Sequence, residues 1–186
     1  MWFLALFSTV ASGVLCALSV CPGMLEQIPE RPALIVGLAV ALLTSVLAVR
    51  HFWRPTDAQT PWRRTIALVC LANAIVTPVL LTTHWLRRLA FEKHLPQFEA
   101  LLAKAPPAGE RAPVNLNADL NIYWVDQWGT DARGGTYFRT LTAPGADPRS
   151  FGFVYRPNAE GSPFGDARYE LQHLTGDWYS FAASDR

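Results

Sequence analysis

Three long apolar runs, Met1–Val20, Ala33–Val49 and Thr65–Leu86, occupy most of the first half of the chain, and none contains Asp, Glu, Lys or Arg. The hydrocarbon core of a bilayer requires about 20 apolar residues in a helix, with a usable range of roughly 17–25. All three runs fit this range, and the second half of the chain has no comparable run. The sequence therefore predicts a three-helix transmembrane region over residues 1–86, with the lipid bilayer as its partner.

Charge and cysteine content differ between the two halves. Residues 1–105 hold nine Lys/Arg and five Asp/Glu, whereas residues 106–186 hold seven Arg, no Lys and ten Asp/Glu. This balance is too weakly basic to indicate nucleic-acid binding. The cysteines Cys16, Cys21 and Cys70 all lie in or beside the apolar runs. The second half therefore has neither a disulfide nor a thiol metal ligand.

Cleavage after the first run is an alternative to a first membrane span. The residues Leu18-Ser19-Val20-Cys21 loosely resemble a bacterial lipoprotein cleavage box, although Val20 and Pro22 fit it poorly. The chain also begins Met-Trp-Phe-Leu, without the positive charge that signal peptides carry at their start. We therefore favour a retained helix.

The orientation of the helices follows from the basic residues of the loops. The loop over residues 50–64 has four Arg, whereas the loop over residues 22–32 has one. Because Lys and Arg are more frequent in cytoplasmic loops, this asymmetry places the second loop inside and the C-terminal half outside the cytoplasm. Three basic residues directly after the third run weaken the asymmetry. We expect a multi-pass protein of the bacterial inner membrane with an extracytoplasmic C-terminal domain.

A connector is predicted over residues 87–113. Arg87–Lys104 is expected to be an amphipathic helix, with Pro96 kinking or dividing it, and Ala105–Pro113 is a Pro/Ala/Gly linker. This pattern is typical of a stalk or of a helix on the membrane surface. Its predicted apolar face consists of Leu89, Leu95, Phe98, Leu101 and Leu102.

Residues 114–186 are predicted to form a small soluble domain of antiparallel β-sheet. Short segments rich in aromatic and β-branched residues alternate with Gly, Pro and Asp turns, which is typical of an antiparallel meander. Thr175-Gly176-Asp177 is a hairpin signal between the last two strands. The predicted strands are Leu120–Val125, Thr136–Leu141, Ser150–Tyr155, Arg168–Leu174 and Trp178–Phe181.

The candidate binding residues of this domain admit two interpretations. Aromatic and Arg side chains anchor protein interfaces, but they also fill the core of a small sheet. Paired carboxylates perform acid–base chemistry in a cleft, but acids in turns commonly accept backbone hydrogen bonds. We expect Trp124 and Trp178 to lie in the core. The candidate binding residues are Tyr155, Arg156, Phe164, Trp128, Asp126 and Asp131.

No catalytic motif is present in the sequence. The C-terminal half has one histidine, His173, which we expect to be an ordinary strand residue. The chain contains no HExxH or GxSxG motif and no Gly-rich phosphate loop. The sequence therefore predicts no catalytic residue, no metal and no cofactor.

Polar residues inside the apolar runs are predicted to pack helices together. Asn73 lies in the middle of the third run, and Ser8 and Ser12 form a small-xxx-small pair in the first. Such side chains form hydrogen bonds or allow close approach between helices, either within one bundle or across a homo-oligomer. An ion path is the alternative, but proton relays and pumps normally require a charged residue in the membrane.

The predicted function is that of a non-enzymatic inner-membrane protein whose extracytoplasmic β domain binds another protein. Such a protein would be a subunit of an envelope complex or a membrane-held immunity or inhibitor protein. The alternative is a membrane-anchored domain that binds a small ligand or a glycan, or an envelope enzyme. Both rest on architecture, because no motif selects between them.

Overall fold

A computed structural model describes residues 2–23, 39, 42–43, 45–47, 49–50, 61–107, 109, 112–143, 148–159 and 161–184. Within these residues we label helices α1 (Trp2–Val20), α2 (Pro61–Thr83) and α3 (Trp85–Leu102). The strands are β1 (Val114–Leu120), β2 (Tyr123–Thr130), β3 (Thr136–Ala143), β4 (Arg149–Tyr155), β5 (Arg168–Thr175) and β6 (Trp178–Ser184). The chain divides into a helical unit, residues 1–19 and 28–86, and a sheet unit, residues 20–27 and 87–186.

The helical unit contains α1, α2 and a set of helical residues between 39 and 50. Most of the predicted second helix, Ala33–Val49, lies outside the described residues. Helix α2 begins at Pro61 and ends at Thr83, whereas the apolar run predicted Thr65–Leu86. Proline is favourable at the first helical position, and His84 has a left-handed φ of 52° that ends the helix. The two ends of α2 are therefore set by Pro61 and His84 rather than by hydropathy.

The described surface of the helical unit is apolar, and several of its polar side chains are buried. Ser12, Ser45 and Thr77 are buried. No single described helix is both long and apolar enough to cross a membrane, although the bent pair Leu68–Leu80 and Trp85–Leu102 passes by length and composition. The exposed apolar residues include Leu6, Val10, Val14, Leu43, Val46, Leu68, Ile75, Val76 and Val79.

The C-terminal part forms a six-stranded sheet with the order β1-β2-β3-β4-β6-β5. All neighbouring strands are antiparallel, which confirms the predicted antiparallel sheet. The order is a meander only as far as β4, because β6 lies between β4 and β5. Residues 156–167, which we call the crossover segment, therefore run from the end of β4 to the distant start of β5.

The predicted strand Leu120–Val125 is wrong, because a turn divides it. β1 ends at Leu120 and β2 begins at Tyr123. Asn121 has a left-handed φ of 66°, and its N–H donates to Asp119 Oδ1 at 2.9 Å. Asparagine tolerates this conformation through such local hydrogen bonds. The predicted hairpin between the last two strands is confirmed by the pairing of Thr175 with Trp178.

Helix α3 packs on one face of the sheet through aromatic rings. Phe91 and Phe98 are fully buried, and the Phe98 ring centroid lies 5.1 Å from that of Phe153 and 5.9 Å from that of Trp178. The predicted apolar face is therefore wrong in part, since Leu89 is 44% exposed. Pro96 lies inside the helix and does not divide it. Helix α3 is a component of the sheet unit and not a free stalk.

The crossover segment covers the opposite face of the sheet. Phe164 is buried there, and its ring stacks on Phe181 with the centroids 5.8 Å apart. Tyr137, Val154 and Ala183 complete this second apolar cluster. Strand β4 is consequently buried on both faces, in agreement with its run of buried residues.

Candidate functional site

Asp131, the first candidate, lies directly after β2 and is buried. Its Oδ1 accepts hydrogen bonds from the backbone N–H groups of Arg133 at 2.8 Å and Gly135 at 2.9 Å. Its Oδ2 accepts from the Tyr137 hydroxyl at 3.1 Å and from the Asn158 N–H at 3.2 Å. This carboxylate is thus occupied by the turn before β3 and by the crossover segment, as the turn-acid interpretation predicts.

The phenols beside Asp131 are part of the same buried network. The Tyr137 hydroxyl oxygen lies 3.0 Å from the Tyr169 hydroxyl and 3.1 Å from the Gly161 carbonyl oxygen. Burial is the main cause that raises the pKa of Tyr137 to about 12. Burial, followed by the hydrogen bond with Tyr137, also raises the pKa of Tyr169 far above its ordinary value. Both phenols stay protonated at neutral pH and act as hydrogen-bonding groups that tie the crossover segment to the sheet.

Asp126 is held by Arg139 in a two-pronged ion pair. Arg139 Nε lies 3.0 Å from Oδ1, and Nη2 lies 2.6 Å from Oδ2. The guanidinium carbon is also 5.2 Å from the centroid of the Phe164 ring. Asp126 and Asp131 therefore have separate partners. Arg139 neutralises the charge of Asp126, whereas backbone N–H groups and a phenol occupy the oxygens of Asp131. This arrangement is typical of structural carboxylates rather than of an acid–base pair.

Arg156 and Asp177 form an exposed ion pair, and together with the half-buried Tyr155 ring they are called the Arg156 patch. The Arg156 side chain is 67% exposed. Its Nε donates to Asp177 Oδ2 at 2.8 Å, and its backbone N–H donates to the Asp177 carbonyl at 2.9 Å. The guanidinium carbon lies 5.1 Å from the centroid of the Tyr155 ring. The patch thus joins the start of the crossover segment to the turn between β5 and β6.

Arg156 adopts a left-handed backbone conformation, with φ at 49°. For a residue with a side chain this costs about 1–2 kcal/mol. The two hydrogen bonds to Asp177 offset that cost and hold the guanidinium in place. The sequence predicted Arg156 as a candidate but missed Asp177, whose position in a hairpin turn gave no sign of its partner.

The tryptophans occupy different environments. Trp178 is buried, as predicted, and Trp128 is half-buried with its ring centroid 6.2 Å from that of Phe138. Trp124 is 53% exposed, so its predicted place in the core is wrong. It follows Tyr123, whose ring packs against α3, and alternation along β2 turns Trp124 to the other face.

His173 lies on β5, and its Nε2 is 3.0 Å from the Gly176 carbonyl oxygen. Its ring meets Tyr179 edge-on. Among the residues that the structure describes, no group of three or more His, Cys, Asp or Glu side chains is arranged to hold a metal ion. His173 is placed as a strand residue next to a hairpin.

The predicted helix-packing residues lie in the helical unit. The Asn73 side-chain amide on α2 donates to Thr9 Oγ1 on α1 at 3.0 Å. Ser12 is buried, whereas the side chain of Ser8 lies outside the described residues. A direct hydrogen bond between the two helices therefore involves the amide that the sequence singled out.

No family model matches the chain, and neither a curated protein nor a solved structure matches it. In the described part of the sheet unit, the Arg156 patch joins an exposed ion pair and an aromatic ring in a geometry held by hydrogen bonds.

Proposed function

We propose that this chain is a non-enzymatic protein of the bacterial inner membrane that spans the bilayer with three helices. In this proposal the sheet unit lies outside the cytoplasm and binds another protein. The partner belongs to an envelope complex, or it is a protein that the chain neutralises as an immunity or inhibitor protein.

The proposed membrane location is supported by the surface of the helical unit, which exposes apolar side chains and buries small polar ones. Apolar side chains such as Leu6, Val10 and Ile75 are more than half exposed, while Ser12 and Ser45 are buried. In water, contiguous exposed apolar surface is unfavourable by about 25 cal/mol per Å². In lipid the same arrangement is favourable, because apolar side chains face the acyl chains and small polar residues mediate helix contacts.

The arginine-rich loop over residues 50–64 supports the proposed orientation. Its four Arg, against one in the loop over residues 22–32, favour a cytoplasmic position for that loop. An odd number of spans then leads the chain to the outer side before the sheet unit begins.

The Arg156 patch supports the protein-binding part. Tyr and Arg are enriched among the residues that contribute most to protein interfaces. Arg156 is exposed and already ordered by Asp177, so little side-chain entropy is lost when a partner binds. Asp126 and Asp131, the carboxylates that the alternative ligand-binding or enzymatic function would use, are engaged by Arg139 and by backbone N–H groups.

The test is co-purification of the full-length protein from host membranes in mild detergent, with Arg156→Ala compared with Arg168→Ala. Arg168 is also exposed but lies at the start of β5, at the other end of the sheet. We expect a stoichiometric partner chain with the wild type and with Arg168→Ala, and its loss with Arg156→Ala.

Two results would count against the proposed interface. Retention of the partner by Arg156→Ala would exclude the patch as the binding surface. Purification of the wild type without another chain, but with a bound small molecule or glycan, would favour the ligand-binding alternative.

A further inference from the structure

We propose that the turn between β1 and β2 inserts into the headgroup layer of the bilayer through Ile122 and Trp124, which we call the turn patch. The turn patch then forms a second lipid contact of the protein, separate from the spanning helices. This inference rests on the proposed membrane location of α1, and the experiment below separates the two.

The chain that leaves α1 lies directly against the turn patch. Cys21 follows Val20, the last residue of α1, and its thiol donates to the Ile122 carbonyl oxygen at 3.8 Å. Gly23 lies against the Phe151 ring so closely that a Cβ on Gly23 would be 2.5 Å from a ring carbon. Because α1 carries no charged residue, its end at Val20 lies near the boundary of the hydrocarbon core when the helix spans. The next residue, Cys21, contacts Ile122, so chain connectivity alone keeps the turn patch close to that boundary.

The second passage between the apolar runs and the sheet unit comes close to Cys21. Arg87, near the start of α3, is buried and donates to Gln172 Oε1 at 3.2 Å. Burial raises the pKa of the Cys21 thiol, and the nearby Arg87 charge partly opposes this rise. The chain that returns to the sheet unit therefore also comes near Cys21, although Arg87 itself bonds to β5, at the sheet edge opposite β1.

The chemistry of the turn patch suits the lipid headgroup layer. Ile122 is 49% and Trp124 is 53% exposed. Tryptophan is enriched at membrane interfaces because its ring is apolar and its N–H is polar. Two strand residues span about 7 Å, at roughly 3.3 Å per residue. This matches a headgroup layer of roughly 5–7 Å on each side of the hydrocarbon core.

The acidic residue directly beside the turn patch favours zwitterionic lipid over anionic lipid. Asp119 is the strand partner of Trp124, and its carboxylate accepts the N–H of Asn121 in the turn. An acidic group beside the ring does not attract anionic headgroups, which bind clusters of Lys and Arg. We therefore expect the turn patch to contact phosphatidylcholine- or phosphatidylethanolamine-type headgroups.

The test places a nitroxide label on single cysteines in the full-length protein reconstituted in phosphatidylcholine vesicles, with Cys16, Cys21 and Cys70 replaced by Ala. Labels at Ile122→Cys and Trp124→Cys report the turn patch. Leu171→Cys, on an exposed apolar residue of β5, is the matched control, and Val10→Cys in α1 is the lipid reference. The measurement is the ratio of collision rates with oxygen and with a water-soluble nickel complex.

We expect the oxygen-to-nickel collision ratio of labels at residues 122 and 124 to be several-fold above that of the label at residue 171. It should approach the ratio of the label at residue 10. A lipid-like ratio at 10 with water-like ratios at 122 and 124 would overturn the turn-patch inference and leave the membrane proposal standing. A water-like ratio at 10 would overturn both.

A second measurement avoids the cysteine replacements. Brominated phosphatidylcholine quenches tryptophans that lie in the bilayer. The quenched share of the emission should fall in Trp124→Phe. In Trp128→Phe, whose ring packs against Phe138, it should rise slightly, because the change removes emission that the lipid does not quench. Equal quenching in both variants would contradict the inference.

Discussion

At the residue scale, Asp131 shows how a turn acid can hold several segments together. One buried carboxylate accepts hydrogen bonds from the turn before β3, from a strand phenol and from the crossover segment. The predicted use of such acids in backbone hydrogen bonding was available from the sequence. The Tyr137 and Asn158 partners were not, because they come from chain segments that only the folded sheet brings together.

The change Asp131→Asn tests this role without altering side-chain volume. An amide nitrogen in place of Oδ2 would face the Asn158 N–H, so that a buried donor loses its acceptor. We expect a loss of about 1–3 kcal/mol in the free energy of unfolding. Chemical denaturation followed by circular dichroism measures it. Asp166→Asn, on an exposed side chain, should change stability by less than about 0.5 kcal/mol; equal losses in the two variants would contradict the assignment.

Stability should fall at high pH through Tyr137. Its pKa is raised from 10.0 to about 12 in the folded protein, so the folded state holds the phenolic proton more tightly than the unfolded state does. This contribution is complete below pH 10.0 and is lost as the pH rises from there to about 12. The midpoint of denaturation, measured between pH 9 and 12, should fall less steeply in Tyr137→Phe than in the wild type. An unchanged slope would show that this phenol is not the titrating group.

At the scale of elements, sequence patterns predicted most of the face that α3 presents to the sheet. Four of the five predicted residues, Leu95, Phe98, Leu101 and Leu102, pack against the core, whereas Leu89 is exposed. The fully buried Phe91 was missed, because helical periodicity does not show which rings lie closest to the sheet. On β5, Tyr169, Leu171 and His173 alternate along one face, as expected.

Phe98→Ala tests whether α3 is a structural part of the sheet unit. Removing this fully buried ring should cost about 3–5 kcal/mol of unfolding free energy, through lost burial and the cavity left behind. The denaturation midpoint of the full-length protein in detergent measures the change. Leu89→Ala on the same helix is the control, since Leu89 is exposed and its loss should have little effect. Similar stabilities for both variants would indicate a free stalk instead.

At the scale of the whole molecule, composition predicted the division between an apolar helical part and an antiparallel sheet. It did not predict that residues 20–27 belong with the sheet unit, because Cys21 and Gly23 are placed by Ile122 and Phe151, about a hundred residues later. Likewise, the position of β6 between β4 and β5 depends on a long connection that leaves no local pattern. Long-range pairing is the part of this fold that the sequence alone leaves open.

The proposed membrane location and orientation lead to a combined prediction. The protein should stay in the membrane pellet after carbonate extraction, because its helical unit exposes apolar side chains. Alkaline phosphatase fused after Arg186 should be active, since it folds only outside the cytoplasm, and the same enzyme fused after Asp57 in the arginine-rich loop should be inactive. Release by carbonate would reject the membrane proposal, and the reverse pattern of activities would invert the orientation.

The position of β6 has a consequence for synthesis on the ribosome. Translation produces β4 and β5 before the strand that lies between them. Until Trp178–Ser184 has emerged, the inner edges of both older strands have no backbone partner, and the Phe164 ring lacks the Phe181 ring on which it stacks. The nascent chain therefore carries two open strand edges, which are templates for intermolecular pairing, until its final strand closes the gap between them.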